Sequence, residues 1–218
     1  MAAGRTLDLA TMRVSYEQGV LEESGLESTW YEQLRRWIAD AVRAGLPEAN
    51  AMVLATADAA GRPSSRTMLC RGLDSRGVVF FTDYNSPKSR DLLATGLASA
   101  TFLWLPMQRQ AHVCGTAEKV SAAETAAYWA TRPRDSQLGA WACAQSTEIA
   151  NRAALDAAMA HAERQFASAD RIPVPEHWGG WRIRPHSVEF WQGRPGRMHD
   201  RLVFDRIDGE WRLRRLAP

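Results

Sequence analysis

The sequence predicts an α+β fold, mainly β, in which antiparallel strands form a central barrel or sandwich and helices lie at its periphery. Three observations carry this expectation. Short segments rich in β-branched and aromatic residues succeed one another from Ala51 to Val120, and no helix intervenes between each pair as a doubly wound sheet would require. Turn signals divide them, at Ala60-Gly61-Arg62-Pro63 and from Asp74 to Gly77. The chain then passes through two helical stretches and returns to a strand pattern from Gly180 to its end.

The elements follow in order. From Thr29 to about Ala44, Trp30, Leu34, Trp37, Ile38, Ala41 and Val42 recur at helical spacing, and Thr29 with Glu32 forms a capping box. The strands expected next are AMVLATAD, SRTMLCRGL, GVVFFTD, ASATFLWL and RQAHVCGTAEKV. A helix opens at Ser121 with Glu124 three residues on, and a longer alanine-rich helix is expected from about Thr147 to Ser168. GWRIRP, SVEFWQG, RLVFDR and EWRLRRL complete the strands, the last two joined by a hairpin across Ile207-Asp208-Gly209.

Composition narrows the function. A chain of 218 residues, 45% hydrophobic and 24% charged, is long enough to bury a core and too apolar for disorder. A net charge of +2 lacks the concentrated basic stripe of a nucleic-acid binder. Cys70, Cys114 and Cys143 form no C-x-x-C pair, which argues against a zinc or dithiol site and suits a reducing cytosol. With no signal-peptide core and no apolar run of membrane-spanning length, the expectation is a cytoplasmic protein with no membrane partner. The G-x-G-x-x-G, P-loop, H-E-x-x-H and G-x-S-x-G motifs are all missing.

Three segments are left to carry chemistry. Asn85-Ser86-Pro87-Lys88-Ser89-Arg90 opens a helix with Ser86 as N-cap and Pro87 at the first position; Lys88 and Arg66 beside it would suit a phosphate, although such a start is also ordinary helix grammar. Tyr128, Arg132 and Ser136 lie four apart, so a helical path would aim a phenol, a guanidinium and a hydroxyl in one direction; a basic residue complementing a helix C-terminus explains the same spacing. In the third, an aromatic strand ending in Trp191 leads to a loop crowded with Arg197, His199 and Arg201, which fits a flat buried ligand under cations or a solvated charged turn equally well.

Together these segments closely resemble the pyridoxamine 5'-phosphate oxidase family, in order from about Arg13 to Arg215-Leu216-Ala217-Pro218. The most specific matches are Arg132-Pro133-Arg134-Asp135-Ser136-Gln137-Leu138-Gly139-Ala140-Trp141, Gln145-Ser146, Trp178-Gly179-Gly180, Phe190-Trp191-Gln192-Gly193 and Arg197-Met198-His199-Asp200-Arg201. The resemblance implies an FMN-binding split β-barrel of antiparallel strands with peripheral helices. It implies an N-terminal segment (1–28) carrying a partial substrate lid and a single domain over 29–218. It also implies a homodimer with FMN in the groove between subunits.

Carried over position by position, the resemblance assigns Arg66 and Lys88 to the FMN phosphate, and Thr67, Met68, Leu69, Phe81 and Thr82 to the flavin. Gln110, Gln145, Ser146, Trp191 and Arg201 are its remaining contacts. For the substrate, Arg71, Tyr128, Arg132 and Ser136 match the phosphate grip, with Arg71 also at the cofactor's edge. Arg13 and Tyr16 match the lid, and Arg197 and His199 the catalytic residues at the pyridine ring. The implied reaction takes hydride from C4' of pyridoxamine or pyridoxine 5'-phosphate to flavin N5, and oxygen then reoxidises the flavin with release of hydrogen peroxide. No metal is expected. Arg197 serves as an electrostatic clamp, and His199 either shares a proton or hydrogen-bonds the substrate.

Three departures stand out. The family commonly has lysine at Arg71 and a basic residue at Pro87, and its Arg-Arg-Glu-Tyr lid reads Arg13-Val14-Ser15-Tyr16 here. Two rival readings follow: a flavin oxidase of the same fold acting on another reduced heteroaromatic, as in phenazine biosynthesis, and a non-catalytic flavin or pyridoxal-phosphate binding protein. The phosphate grip speaks against the first and the pair Arg197–His199 against the second.

Overall fold

The computed structural model describes residues 8–218, so the first seven residues of the expected N-terminal segment lie outside the described residues. Helix α1 (Trp30–Arg43) begins where its cap dictates: Thr29 Oγ1 accepts from Glu32 N at 3.3 Å. Its apolar stripe buries Trp30, Leu34, Trp37 and Ala41, and each of the larger side chains contributes about 1.5–3 kcal/mol of transfer free energy. Trp37 meets Trp104 and Phe190 edge-on, with ring centroids 6.1 and 5.1 Å away, so the helix is keyed into the sheet by shape as well as by area.

Nine strands follow: β1 (Ala51–Ala57), β2 (Pro63–Leu69), β3 (Gly72–Asp74), β4 (Gly77–Asp83), β5 (Leu97–Trp104), β6 (Arg109–Lys119), β7 (Trp178–Gln192), β8 (Asp200–Ile207) and β9 (Glu210–Arg215). They form one antiparallel sheet in the order β2-β1-β5-β6-β7-β4-β3, with β8 and then β9 branching from β7. No ladder joins β2 to β3 among the described residues, so the barrel is split and not closed. Strict alternation marks the core face: Met52 and Leu54 in β1, Ala98, Ala100, Phe102 and Trp104 in β5, and Ala111 and Val113 in β6 are all buried. A second apolar cluster of Trp129, Leu138, Ala162, Phe166, Ile172 and Trp178 lies under α3 (Ala122–Thr131), α4 (Arg134–Ala142) and α5 (Arg152–Gln165).

Four local expectations change. The segment SRTMLCRGL is two strands, because the chain breaks at Cys70-Arg71 between β2 and β3. GWRIRP and SVEFWQG are one strand of 15 residues. Pro185 is tolerated there because the β6–β7 register shifts between Cys114 and Gly115, and a bulge relieves proline of its ladder bond. The shift brings β7 so close that a Cβ on Gly115 would sit 2.1 Å from the Arg184 carbonyl oxygen. Helix α5 starts at Arg152, after Asn151 caps Ala154 N at 2.9 Å, so 147–151 is loop. Finally, the path from Tyr128 to Ser136 is not helical throughout: α3 ends at Thr131, and Arg132, held extended before Pro133, separates it from α4.

Candidate functional site

The site begins with two neighbouring cations, Lys88 buried and Arg66 half-buried. Helix α2 (Pro87–Thr95) starts at Pro87 as its sequence predicts, but Ser86 does not cap it with its side chain. The Ser86 hydroxyl donates instead to the Asp83 carbonyl at 2.7 Å, and so does Ser89 at 2.9 Å, which binds the helix start to the end of β4. Lys88, only 7% exposed, donates from Nζ to Thr82 Oγ1 at 3.2 Å, to Ser86 Oγ at 3.1 Å and to Gln145 Oε1. Arg66 donates to Thr56 Oγ1 at 2.8 Å, to Ser64 Oγ at 2.5 Å and to the Leu54 carbonyl at 3.3 Å.

None of these partners is a carboxylate. Burial, then the nearby Arg66 charge, pushes Lys88 down to about 8, against an opposing pull from Asp83. Burial lowers Arg66 as well, with Asp91 opposing. Two cations that lower their own charge stability in this way are a ready receptor for an anion, whose two charges would balance both.

Beside this pair, Phe81 stacks on Tyr128 with centroids 3.9 Å apart and on Trp178 at 5.5 Å. Arg132 lies over Trp178 at 4.6 Å and Trp129 at 5.4 Å. It donates to the Ser136 backbone carbonyl at 2.5 Å, so Arg132 and Ser136 meet although the chain between them is not one helix. Its Nε is buried with no hydrogen-bond partner, a cost of about 1–3 kcal/mol that an acceptor in the cavity would remove. That cavity, about 360 Å³, is lined by Glu48, Thr67, Met68, Leu69, Arg71, Phe81, Tyr128 and Arg132. A second of about 330 Å³ shares Met68, Phe81 and Arg132 and adds Thr82, Ser136 and Gln145. Ser146 lines a further cavity with Gln145 and Asp83, and takes a left-handed backbone, φ 67°.

The remaining predicted residues gather elsewhere in the chain. Arg13, Tyr16, Trp191, Arg197 and His199 line a cavity of about 490 Å³. Tyr16 sits 5.8 Å from Trp191 and 5.6 Å from His199, ring to ring. A Cβ on Gly193 would come within 2.8 Å of the Tyr16 ring, so glycine there admits the tyrosine. His199 Nδ1 accepts from Arg194 N at 3.1 Å, so the neutral imidazole carries its proton on Nε2. Gln110, Trp191 and Arg201 stand side by side in register across β6, β7 and β8. Arg201 is already engaged: both its Nε and a terminal nitrogen bond Glu189, at 2.7 and 2.9 Å.

The three sequence motifs therefore form two groups within one chain. Strand β7 reaches both: Trp178 at its start lies against Arg132 and Phe81, whereas Trp191 lies near its far end, roughly 40 Å further along an extended strand. Sequence reasoning missed Asp83, a buried hub whose carboxylate accepts from Asn85 N at 2.6 Å and Gln145 N at 3.4 Å, and matched Trp178 to the family without giving it a role, although it is the bed of Arg132. Asp83 ends an ordinary strand, so only its partners in space mark it.

A split antiparallel barrel that sets a buried lysine and a half-buried arginine beside an aromatic-lined cavity has the chemistry to accept an anionic, planar ligand. The chain belongs to the pyridoxamine 5'-phosphate oxidase family. Residues 38–166 match the model of the pyridoxamine 5'-phosphate oxidase family, and residues 178–218 match that of the pyridoxine 5'-phosphate oxidase C-terminal dimerisation region. The chain is 62% identical to a pyridoxine/pyridoxamine 5'-phosphate oxidase of Saccharopolyspora erythraea, over 98% of this chain and 96% of the relative. It is 50% identical to one of Salinispora arenicola, over 99% and 98%.

Among solved structures, PhzG from Burkholderia lata, in complex with tetrahydrophenazine-1-carboxylic acid, superposes with a TM-score of 0.85 at 34% identity, covering 91% of this chain and 98% of that one. A pyridoxamine 5'-phosphate oxidase-related, FMN-binding protein from Nostoc punctiforme shares the fold, with a TM-score of 0.69 at 21% identity over 88% and 100%. No helix among the described residues is long and apolar enough to cross a membrane.

Proposed function

We propose that this chain is an FMN-dependent oxidase that converts pyridoxamine 5'-phosphate or pyridoxine 5'-phosphate to pyridoxal 5'-phosphate in the cytoplasm, with oxygen as acceptor and hydrogen peroxide as product and, for the amine, with water consumed and ammonia released. The observation that carries the reading is the unpartnered Nε of Arg132 in a cavity shared with Arg71 and Tyr128. It supports an anionic group bound beside, and separately from, the anion held by Arg66 and Lys88. A substrate phosphate at that position fits the names of the relatives.

FMN fits the residues present: Lys88 and Arg66 would hold its phosphate, and Thr67, Met68, Leu69 and Thr82 would border the ring. Bound FMN would supply the redox chemistry, taking hydride from C4' and passing two electrons to oxygen. The protein's share is placement and charge. Arg132, Arg71 and Tyr128 grip the substrate phosphate; Arg197 clamps the ring; and His199 presents Nε2–H as a donor. In that tautomer His199 hydrogen-bonds the substrate and does not take its proton.

We further propose a homodimer in which each site draws on both chains. The distance along β7 between Trp178, beside Arg132, and Trp191 supports this, as does the matched dimerisation region. The face carrying Gln110 and Trp191 also exposes Val53 at 41% and Leu103 at 50%, apolar surface suited to a second copy.

The similarity to PhzG favours a second reading, oxidation of a reduced heteroaromatic without a phosphate. Purified protein with FMN and oxygen, given pyridoxine 5'-phosphate and then the unphosphorylated vitamer, separates the two. The reading expects pyridoxal 5'-phosphate from the phosphorylated compound alone. No product from either, with FMN bound, would transfer support to the second reading.

A further inference from the structure

We propose that Asp200 and Arg215 form a positioning pair that holds segment 12–21 over the Arg197–His199 cavity and thereby sets substrate affinity, an inference that rests on reading that cavity as the substrate's. The segment has no helix or strand of its own from Met12 to Leu21, so something else must place it.

Both backbone groups of Leu21 are held by the pair. Asp200 Oδ2 accepts from Leu21 N at 3.0 Å, and Arg215 donates to the Leu21 carbonyl at 3.0 Å. Arg215 also donates to Asp200 Oδ1 at 2.7 Å and grips Glu23 through two bonds of 2.8 and 2.9 Å. Leu21 itself is 5% exposed and seated in the main core. The Glu23 arm is largely exposed and contributes little by itself. The half-buried Asp200 arm joins a charge to a backbone amide, the stronger kind of bond.

From this anchor the chain runs outward over the cavity. Gln108 accepts from Gln18 N at 3.1 Å and donates to the Ser15 carbonyl at 3.3 Å. Tyr16 then enters the notch above Gly193, beside Trp191 and His199. Asp200 also lies 3.6 Å from the Arg194 guanidinium, and Arg194 N fixes the His199 tautomer. One carboxylate thus ties both walls of the cavity, the lid segment and the loop of Arg197 and His199.

The test uses FMN-loaded full-length protein with Arg215→Met, which keeps the length of the stem and removes the charge. The expected results are a roughly tenfold rise in KM for pyridoxine 5'-phosphate with kcat within about twofold, and roughly tenfold faster tryptic cleavage after Arg13, with FMN retained. Tyr16→Ala combined with Arg215→Met should raise KM no further than Tyr16→Ala alone, because both act through the same ring. Asp200→Asn should shift both readouts in the same direction, and serves if Arg215→Met folds poorly. Unchanged cleavage, an unchanged KM, or additive effects in the double variant would overturn the proposal. A wild-type protein without turnover would count against the functional reading alone, and the cleavage comparison would then decide the clasp by itself.

Discussion

Replacing Lys88 with methionine isolates the charge that the proposed function sets against the cofactor phosphate. The ammonium is buried, pushed down to about 8 by desolvation and by Arg66, and its three bonds go to neutral oxygens. A bound phosphate, dianionic above about pH 6, restores the proton by attraction, so FMN binding takes up a proton once the pH exceeds 8. In the wild type the dissociation constant should stay flat up to about pH 7.5. It should then weaken about tenfold by pH 9, where about one-tenth of the free protein still carries the charge.

Lys88→Met removes a charge-assisted contact worth about 1.5–3 kcal/mol, roughly 10- to 100-fold in affinity at pH 7, and with it the pH dependence. Arg66→Ala removes the lowering influence on Lys88 and should move the midpoint above 8, in addition to weakening FMN. The assay is quenching of flavin fluorescence by FMN-depleted protein from pH 6.5 to 9.5 at constant ionic strength. The same slope in Lys88→Met as in the wild type would refute the assignment of the titration, and equal affinities at pH 7 would refute the contact. Stability should move the other way. A lysine with a lowered pKa binds fewer protons in the folded state than in the unfolded one between about pH 8 and 10.5, so it costs the cofactor-free fold most below pH 8. Cofactor-free Lys88→Met should therefore melt higher than the wild type at pH 7.

Other perturbations read the substrate side. Arg132→Ala should raise KM for the phosphorylated substrate roughly 10- to 100-fold with FMN affinity unchanged, by loss of a charged contact of about 1.5–3 kcal/mol; steady-state kinetics beside flavin titration checks both halves. Arg197→Ala should keep the yellow flavin and lose most oxidase activity, and turnover at the wild-type rate would remove Arg197 from the mechanism. Gly193→Ala drives a methyl group into the Tyr16 ring, so KM should rise while melting temperature changes little; an unchanged KM would mean that Tyr16 does not serve the substrate.

Much of the architecture could be read from local chemistry. Strand β4 lies where GVVFFTD was bounded by turn residues, and α3 carries the capping box that Ser121 and Glu124 announced. What failed did so where tertiary contacts override local grammar. Pro185 reads as a strand end until a bulge beside Gly115 carries the strand through it. The alanine-rich stretch after Thr147 reads as helix until Asn151 supplies the cap. In the site, Lys88 and Arg66 could be paired by their likeness to a phosphate receptor, but the bond from Lys88 to Gln145 spans 57 residues and leaves no periodic trace. Asp83 was invisible for the same reason. The separation of Arg132 from Trp191 within one chain depends on β7 running unbroken from Trp178 to Gln192, which the sequence breaks at Pro185.

The measurement that most directly tests the composite site is complementation between Arg197→Ala and Lys88→Met, unfolded and refolded together in equal amounts and assayed at an FMN concentration that fills the wild-type site but leaves the Lys88→Met site largely empty. If each site takes Lys88 from one chain and Arg197 from its partner, half of the randomly formed dimers are mixed. Each mixed dimer holds one intact site of its two, so about one quarter of wild-type oxidase activity should return. Activity no higher than that of the two variants refolded separately would contradict the account and place both residues in the same site of a single chain.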